Sequence, residues 1–487
     1  MKSLIRALTP AFILDRYHWA LAKLAAAKFG YPSEKMIVVG VTGTNGKTTV
    51  SNMIGRIMEE AGHKVGVATT VNFKVADKER LNDAKMTMLG RTKLQALMAE
   101  MVSAGCTYAV IETSSEGIKQ HRHVGIHYDA AVFTNLTPEH LESHGGFENY
   151  KKAKGELFAK LARDPMKVIG GVKIPKVSVV NLDSLHAPYY LSFGANKKYG
   201  FLVDRAAAVK VAGANGMYGT HAGGMTDAEG KPKEIQYPLG IVKALDVSVT
   251  PRGSTFTVRG TPFRVHMLGL HNVENALAAI AYGMSQGVPL QTMSAALEKL
   301  QGVPGRLEAI TVGPRQDFDV LVDYAPEPES MRRLYEVVAM LPHKRVIHIL
   351  GSAGGGRDKD RRPVLGTMAG SGADVVIVTN EDPYDEDPHG IMEQVAEGAR
   401  RVGKEEGKSL FVIDDRGEAI ARAVGMAQVG DLLIVTGKGA EQAICVANGG
   451  KIPWDDREKL RAALRARFGI EADAASAPSP AQGEINH

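Results

Sequence analysis

From residue 36 onward, short apolar runs alternate with amphipathic stretches. "KMIVVGV" (35–41) reads as a buried strand, and "KTTVSNMIGRIMEEAG", just beyond a turn, reads as the helix that follows it. "KVGVAT", "TYAVIET", "DAAVFTNL" and "KVSVVNLD" are further short apolar runs, each ending in polar residues. Apolar strands that alternate with helices predict a parallel sheet covered on both faces. Residues 198–266 break the rhythm. They are Gly-rich and strand-like ("EIQYPLG", "STFTVRG", "PFRVHMLG"), which predicts a small antiparallel β insertion or flap. "GVPGRLEAI" (302–310) gathers Gly and Pro after a helix ending near Gln301 and reads as a joint. Beyond it the alternation restarts with "FDVLVDY", "KRVIHILG", "ADVVIVTN", "LFVIDD" and "DLLIVTG".

The expected fold class is therefore α/β. A central domain with a parallel sheet and a small β insertion (35–302) is followed by a Rossmann-like α/β domain (303–470). Residues 1–34 are expected to form an N-terminal apolar helix. Residues 471–487, small, polar and Pro-containing, are expected to be a disordered tail. Arg6, Asp15, Arg16, Lys23 and Lys28 interrupt the apolar run at 4–30, so no uncharged stretch approaches the roughly 20 residues needed to span a bilayer. The run suits either an interfacial helix, with Phe12, Tyr17, Trp19 and Leu21 at the membrane surface, or a helix docked on the protein's own core. It lacks a signal-peptide cleavage pattern.

Composition narrows the function. Of 487 residues, 59 are Lys or Arg and 54 are Asp or Glu, a net charge of +5 spread without basic runs, so no nucleic-acid partner is expected. The two cysteines, Cys106 and Cys445, lie far apart in apolar surroundings and read as reduced thiols of a cytoplasmic chain.

The chemistry is concentrated in "VVGVTGTNGKTTVSN" (38–52). Gly43 and Gly46 let the backbone turn so that the N–H groups of Thr44, Asn45 and their neighbours point inward, at the N-terminus of the next helix. Lys47 supplies a charge for β- and γ-phosphates, and Thr48, followed by Thr49, brings a hydroxyl within reach of Mg²⁺. The strict GxxxxGK[ST] pattern fails by one place, because position 41 is Val and the nearest Gly is Gly40. A Gly-Lys-Thr-Thr run opening a helix after a buried strand still marks a nucleoside triphosphate site. The base-reading Asn-Lys-x-Asp of GTPases is missing, since "NKKY" (196–199) lacks the Asp, which favours ATP. Glu112 ends the strand in "YAVIETSSEG", where a P-loop domain places a Mg²⁺-holding carboxylate, and "VFTNLTPEHLESHGG" adds Asn135, Glu139, His140 and His144.

These motifs, with "YKKAKGELF", "GLHNVENALAAI", "VPGRLE", "VDYAPEP", "GSAGGGRDKDRRP", "EDPYDEDP", "DDRGEAI" and "GKGAEQ", occur in order from about residue 37 to 458. In that order they resemble the ATP-dependent Mur ligases, above all the branch that adds the third peptide residue to UDP-N-acetylmuramoyl-L-alanyl-D-glutamate in peptidoglycan synthesis. The resemblance implies that ATP phosphorylates the acceptor carboxylate and that an amine then attacks the acyl phosphate. It implies Lys47, His140 and Lys154 as catalytic residues and Thr48, Glu112, His140 and Lys154 around Mg²⁺, with Lys154 carbamylated. It also implies Asn272, Arg306 and Asp323 (with Tyr324) at the nucleotide, and Thr87, Ser114 and Arg122 at the acceptor. Arg357, Glu381, Asp382, Tyr384 and Glu441 fall at the amino-acid site. Arg357, Asp358, Lys359 and Arg362 would form a basic loop facing the cleft.

Three departures shape the expected substrate. Only about 36 residues precede the P-loop strand, and they do not contain the family's uridine-binding domain. The acceptor is then held by the central domain alone, or is not a UDP-sugar, and a lipid-linked acceptor would suit an interfacial helix on the inner membrane face. Second, Glu381-Asp382-Pro383-Tyr384 replaces the Asp-Asn-Pro-Arg whose Arg pairs with the distal carboxylate of diaminopimelate. With Asp385, Glu386 and Asp387 nearby, L-lysine or another diamine is expected instead; Arg416 is the residue placed to supply the missing charge. Third, Pro326 and Ala440 stand where the family carries His, and Glu441 is left to take the α-amino group. A monomer is expected. The alternatives are a Mur-type ligase for another carboxylate acceptor (lipid-linked, folylpolyglutamate or cyanophycin type) and a non-catalytic precursor-binding subunit.

Overall fold

The structure is a computed structural model that describes residues 11–138, 144–204, 210–211, 239–356 and 359–471. His140, Arg357, Asp358, the tail beyond residue 471 and much of the expected β insertion lie outside the described residues.

The strands are β1 (Ile37–Thr42), β2 (Val65–Ala68), β3 (Asn72–Val75), β4 (Lys78–Leu81), β5 (Tyr108–Glu112), β6 (Ala130–Phe133), the short pair β7 (Val168–Ile169) and β8 (Val172–Lys173), β9 (Val177–Asn181), β10 (Lys197–Val203), β11 (Lys210–Val211), β12 (Leu239–Thr250), β13 (Gly253–Val258) and β14 (Thr261–Val265). They form one sheet in the order β14-β13-β12-β10-β9-β6-β1-β5-β2-β3-β4, with β11 on β12 and the β7–β8 pair apart. The run from β12 to β2 is parallel, and antiparallel strands close both edges. β1, buried from Val38 to Thr42, lies between β5 and β6. Apolar cores fill both faces of the sheet, one under the helices Lys47–Glu60 and Leu270–Ser285 and the other under Arg91–Ser103 and Phe147–Arg163.

The antiparallel β insertion or flap expected at 198–266 is, in its described part, antiparallel in β12–β13–β14 and continuous with the main sheet through β12. The 12-residue strand β12 runs parallel to β10 along its first half and antiparallel to β13 along its second. The register shift between Leu245 and Ser248, with Asp246 at φ 51°, lets one strand serve both neighbours.

Of the expected N-terminal helix, Ala11–Lys28 is described and is docked on the central domain. Ala22, Ala25 and Ala26 are buried, and the approach needs Gly125, where a Cβ would sit 2.9 Å from the Ala26 Cβ. Ile13, Tyr17, Trp19 and Leu24 remain exposed on its outer face. No helix among the described residues is long and apolar enough to cross a membrane.

The second sheet has β15 (Glu308–Ala309), β16 (Asp319–Val322), β17 (Val346–Leu350), β18 (Val375–Thr379), β19 (Leu410–Ile413) and β20 (Leu432–Val435) in the order β15-β16-β20-β17-β18-β19, with its own core on each face. β21 (Ala443–Cys445) and β22 (Lys451–Pro453) pair separately. Leu307 and Leu341 pack against cores of both sheets and join the two halves.

Below β1, Asp129 accepts the Val38 N–H at 2.8 Å and pairs with Lys167 at 2.5 Å, while Lys176 approaches at 3.7 Å. All three side chains are almost fully buried. Removing the carboxylate would leave two buried ammonium groups uncompensated, at a cost of about 3–5 kcal/mol. Asp129→Ala is therefore expected to lower the midpoint of thermal unfolding by about 10 °C; a shift under about 2 °C in a calorimetric scan would show that this cluster does not hold the sheet.

Candidate active site

β1 delivers the loop Gly43–Gly46 to the carboxyl edge of the sheet, between the ends of β5 and β6. Gly43 (φ 152°) and Gly46 (φ 82°) bend it, and a Cβ at either would collide, with the Thr134 hydroxyl and the Asn275 amide respectively. The loop is shaped from β6: Asn135 Oδ1 accepts the Asn45 N–H at 2.9 Å, and Thr134 and Asn135 both donate to the Asn45 carbonyl. Asn135 therefore shapes the loop. Thr44 is fixed by the Thr137 N–H at 3.0 Å and by the Tyr150 hydroxyl at 3.1 Å. Lys47, first residue of its helix, folds back to donate to the Thr44 carbonyl at 2.8 Å. The N–H groups of Thr44 and Asn45, expected to point at the anion, are turned to the Asn135 carbonyl and amide oxygens instead, which leaves the anion position at the start of the helix with Lys47 at its mouth.

Glu112 ends β5 next to the loop and is 2 % exposed. Its carboxylate accepts the Thr48 hydroxyl at 2.8 Å, the Thr70 N–H at 2.8 Å and the Thr70 hydroxyl at 3.0 Å. Lys154 lies on the helix Phe147–Arg163, which approaches β1 over Gly40, where a Cβ would meet Leu157 at 2.8 Å. Its ammonium donates to the Gly43 carbonyl at 2.7 Å and sits 4.4 Å from the Tyr150 ring centre. Among the described residues no three His, Cys, Asp or Glu side chains form a metal-binding group. One carboxylate and one hydroxyl beside a phosphate cradle nevertheless fit Mg²⁺, a hard ion that keeps waters and takes substrate phosphates as ligands.

Thr44, Asn45, Gly46, Lys47, Thr48, Thr49, Asn272, Arg306, Asp323, Thr87, Ser114, Arg122, Glu112 and Lys154 line one cavity of about 490 Å³ at the joint of the two halves. Gly43 lies behind it, shaping the loop. Thr87 accepts or donates across 3.1 Å to Thr70, Ser114 caps the short helix Ser115–Lys119, and Arg122 donates to the Met88 carbonyl and to Gln120. Burial, then the neighbouring Arg91, lowers the Arg122 pKa. From the far side Arg306 stacks on Tyr324 at 4.6 Å. Asp323 accepts the Leu307 and Ala325 N–H groups at 2.7 and 2.9 Å, bracing the joint. Burial raises its pKa, against the pull of Arg306 and those amides. Asn272 is oriented by its bonds to the Leu268 carbonyl and to Asn275.

Among the described residues, the amino-acid candidates Glu381, Asp382, Tyr384 and Glu441 do not line this cavity. Glu381 is buried, and burial followed by the Asp382 charge raises its pKa. Asp382 accepts Lys438 at 2.8 Å and the Cys445 N–H at 2.7 Å, and Glu441 also pairs with Lys438 at 2.8 Å. Burial opposes ionisation of Asp382, but Lys438 and Lys85 outweigh it and lower the pKa. Tyr384 stands at φ 52° with its ring against Gly355.

Three expectations need correction. The acids of "EDPYDEDP" do not form one cluster: Glu386 pairs with Arg362 and Lys359, Asp385 accepts the Asn448 N–H, and Asp387 caps the helix Pro388–Arg401. Arg416 cannot serve the amino-acid site, because its fully buried guanidinium is held at 2.7 Å by both oxygens of Asp456. Arg362 does not face the cleft; it is 1 % exposed and braces its loop through Ala353, Glu386 and Gln394.

The sequence reading missed Thr70, Lys85, Asn275 and Glu327. Asn275 was open to discovery, standing three residues from Asn272 on one helix face. Glu327 caps the helix Pro328–Val338 and also accepts the Asn45 amide at 2.6 Å, a contact between the halves that no local pattern announces.

A P-loop, a hydroxyl–carboxylate pair and a basic cleft at a two-sheet joint define an ATP-dependent enzyme. Comparison with known proteins makes it specific. Residues 41–283 match the Mur ligase middle domain and residues 305–439 the Mur ligase glutamate ligase domain. A UDP-N-acetylmuramyl-tripeptide synthetase of Roseiflexus sp. (strain RS-1) is 38% identical over 93% of this chain and 84% of its own. A UDP-N-acetylmuramoyl-L-alanyl-D-glutamate–2,6-diaminopimelate ligase of Geobacillus kaustophilus (strain HTA426) is 34% identical over 94% and 85%. A solved ligase of the latter name has a TM-score of 0.53 at 28% identity, over 89% of this chain and 79% of that one. Folylpolyglutamate synthase of Mycobacterium tuberculosis, solved with ADP and AMPPCP, shares the fold with a TM-score of 0.60 at 16% identity, over 95% and 98%. The chain belongs to the Mur ligase family, and is an ATP-dependent amide-forming ligase.

Lys47→Met removes the side-chain cation at the mouth of the cradle. It is expected to cut kcat by a factor of about 10²–10³ with the unfolding midpoint unchanged, read from phosphate release and a thermal scan. A less than tenfold loss would place the γ-phosphoryl group elsewhere.

Proposed function

We propose that the chain joins an amino acid to the free carboxylate of a UDP-N-acetylmuramoyl-dipeptide-like acceptor through an acyl phosphate, as a step of peptidoglycan precursor synthesis. The observation that carries this reading is that the cavity lined by the phosphate loop is also lined by Thr87, Ser114 and Arg122. An acceptor carboxylate held there faces the γ-phosphoryl group across a short gap.

Lys47 and the amides at the start of its helix hold the β- and γ-phosphates while Arg306 and Asn272 take the nucleoside end. Thr48 and Glu112 would hold Mg²⁺, which neutralises phosphate charge; His140, expected as a further ligand, lies outside the described residues. The acceptor carboxylate displaces ADP and becomes an acyl phosphate. The amine attacks its carbonyl carbon, the tetrahedral intermediate expels phosphate, and the amine loses a proton. Little covalent chemistry falls to the protein, whose task is positioning and charge neutralisation. A lipid contact of the outer face of the helix Ala11–Lys28 plays no part in this reading.

The amino acid is L-lysine or another diamine in preference to diaminopimelate. Tyr384 stands where an Arg would grip a distal carboxylate, and Asp382 and Glu441 both take ammonium groups as partners. Phosphate release with UDP-N-acetylmuramoyl-L-Ala-D-Glu, screened against L-lysine, ornithine and meso-diaminopimelate, tests this. Turnover with a diamine is expected; turnover with diaminopimelate alone would contradict the amine assignment, and none at all would contradict the acceptor.

Lys154, buried beside the phosphate loop, is read as the carbamylated lysine that completes the Mg²⁺ site. Lys154→Ala is expected to lose at least about 10² in kcat, with partial recovery in chloride or formate. Activity close to that of the unaltered chain would rule the role out.

A further inference from the structure

The loop between β4 and the helix Arg91–Ser103 belongs to the acceptor wall of the cavity, since Thr87 stands on it. Two residues before Thr87, Lys85 crosses to the other half of the molecule. Its ammonium donates to both oxygens of Asp382, at 2.9 and 2.8 Å, and to the Ala443 carbonyl at 2.5 Å, and lies 3.1 Å from Glu441. Asp382 and Glu441 are residues read as the amino-acid site, and Asp382 is reached from 297 positions away in sequence. The Lys85 side chain is 4 % exposed.

The contact is built. Asn82 holds the loop by donating to the Thr69 and Met86 carbonyls and accepting the Ala84 N–H, and Lys451 donates to the Ala84 carbonyl from the opposite half. Lys85 itself stands at φ 52°, a left-handed backbone that a residue with a Cβ keeps only when its surroundings enforce it. Burial works to lower its pKa, yet the charges of Glu441 and Asp382 outweigh that and raise it, so the side chain is a cation here.

Charge and space make this position exclusive. Asp382 and Glu441 are two carboxylates, and Lys438 and Lys85 are two ammonium groups that share them. Asp382 Oδ1 already accepts Lys438, Lys85 and the Cys445 N–H. A third ammonium would leave one positive charge uncompensated in a buried place. Lys85 also lines the main cavity, whereas Asp382 and Glu441 do not, so the lysine stands between that cavity and the pair of carboxylates.

We propose that Lys85 is an internal occupant of the ammonium position in the amino-acid site: it closes the two halves on each other before the amine arrives, and the incoming ammonium group enters by displacing it. The inference rests on the reading of Asp382 and Glu441 as part of the amino-acid site. It makes Lys85 a specificity-determining residue, since only a group that offers the carboxylates as much positive charge replaces it. The displaced ammonium returns to the acceptor wall beside Thr87.

Two measurements on the full chain test the displacement. The first is the acetylation rate of each lysine, followed by mass spectrometry. In the protein alone Lys85 should react far more slowly than the exposed Lys408. Adding an amine substrate with a non-hydrolysable ATP analogue should bring its rate up towards that of Lys408. Rates for Lys85 and Lys408 that match without ligand, or a Lys85 that stays protected under a saturating amine, overturn the proposal. The second is the kinetics of Lys85→Met. An internal competitor present about 90% of the time reduces apparent affinity about tenfold, so the variant should lower KM for the amine by about that factor and leave KM for ATP unchanged. A KM for the amine that is unchanged or raised overturns the proposal, because Lys85 would then be neutral or would help bind substrate. Failure of the amine reading shows separately, as no turnover of the unaltered chain with any amine. The acetylation arm is then read with each amine in turn, and a Lys85 exposed by none of them overturns the displacement.

Discussion

A phosphate cradle needs backbone N–H groups with no partner of their own, and such groups hold their direction only if the rest of the loop is bound on every other side. In this chain Gly43 and Gly46 give up their side chains so that Thr134 and Asn275 can press against the loop, Asn135 holds the peptide units of Thr44 and Asn45, and Tyr150 holds the Thr44 hydroxyl. The order β6-β1-β5 follows from the same demand, because one neighbour shapes the loop and the other brings Glu112 to Thr48. Gly40 lets a helix come close enough to set Lys154 on the Gly43 carbonyl. The parallel sheet is thus the frame on which three separate segments meet one anion.

The second half of the molecule completes the site through a few polar contacts made across the joint. Asn45 of the loop donates to Glu327, Glu274 pairs with Arg333 at 3.5 Å, and Lys85 reaches Asp382 and Glu441. The first two close the joint beside the nucleotide cavity, and the third joins the loop that carries Thr87 to the candidate amino-acid site. Contacts of this kind hold the two halves together around the cavity, as expected of an enzyme that must keep water from a reactive acyl phosphate.

Much of the site could be read in the chain, because its parts are local. The strand before "GTNGKTT" and the carboxylate at the end of "YAVIE" each occupy a few consecutive residues, and the structure has β1 and the end of β5 there. What the sequence hid was pairing at long range. Arg416 offered itself as a free cation until Asp456, forty positions on, was found to hold it. The acids of "EDPYDEDP" looked like one negative patch, yet caps and ion pairs to separate partners disperse them. Lys85 carried no local signal, being one lysine in a polar loop. The strands of the β insertion were foreseen as a flap because composition shows the break in rhythm but cannot show that β12 pairs with β10.

The central claim is that the acceptor carboxylate itself is phosphorylated in this cavity. It is tested most directly by supplying UDP-N-acetylmuramoyl-L-Ala-D-Glu labelled with ¹⁸O in its carboxylate, together with ATP and L-lysine, and by weighing the phosphate released. Transfer of one ¹⁸O into each phosphate is the result this account predicts. Phosphate formed during product synthesis without that label would contradict it, since the carboxylate would then never have been the group that ATP activates.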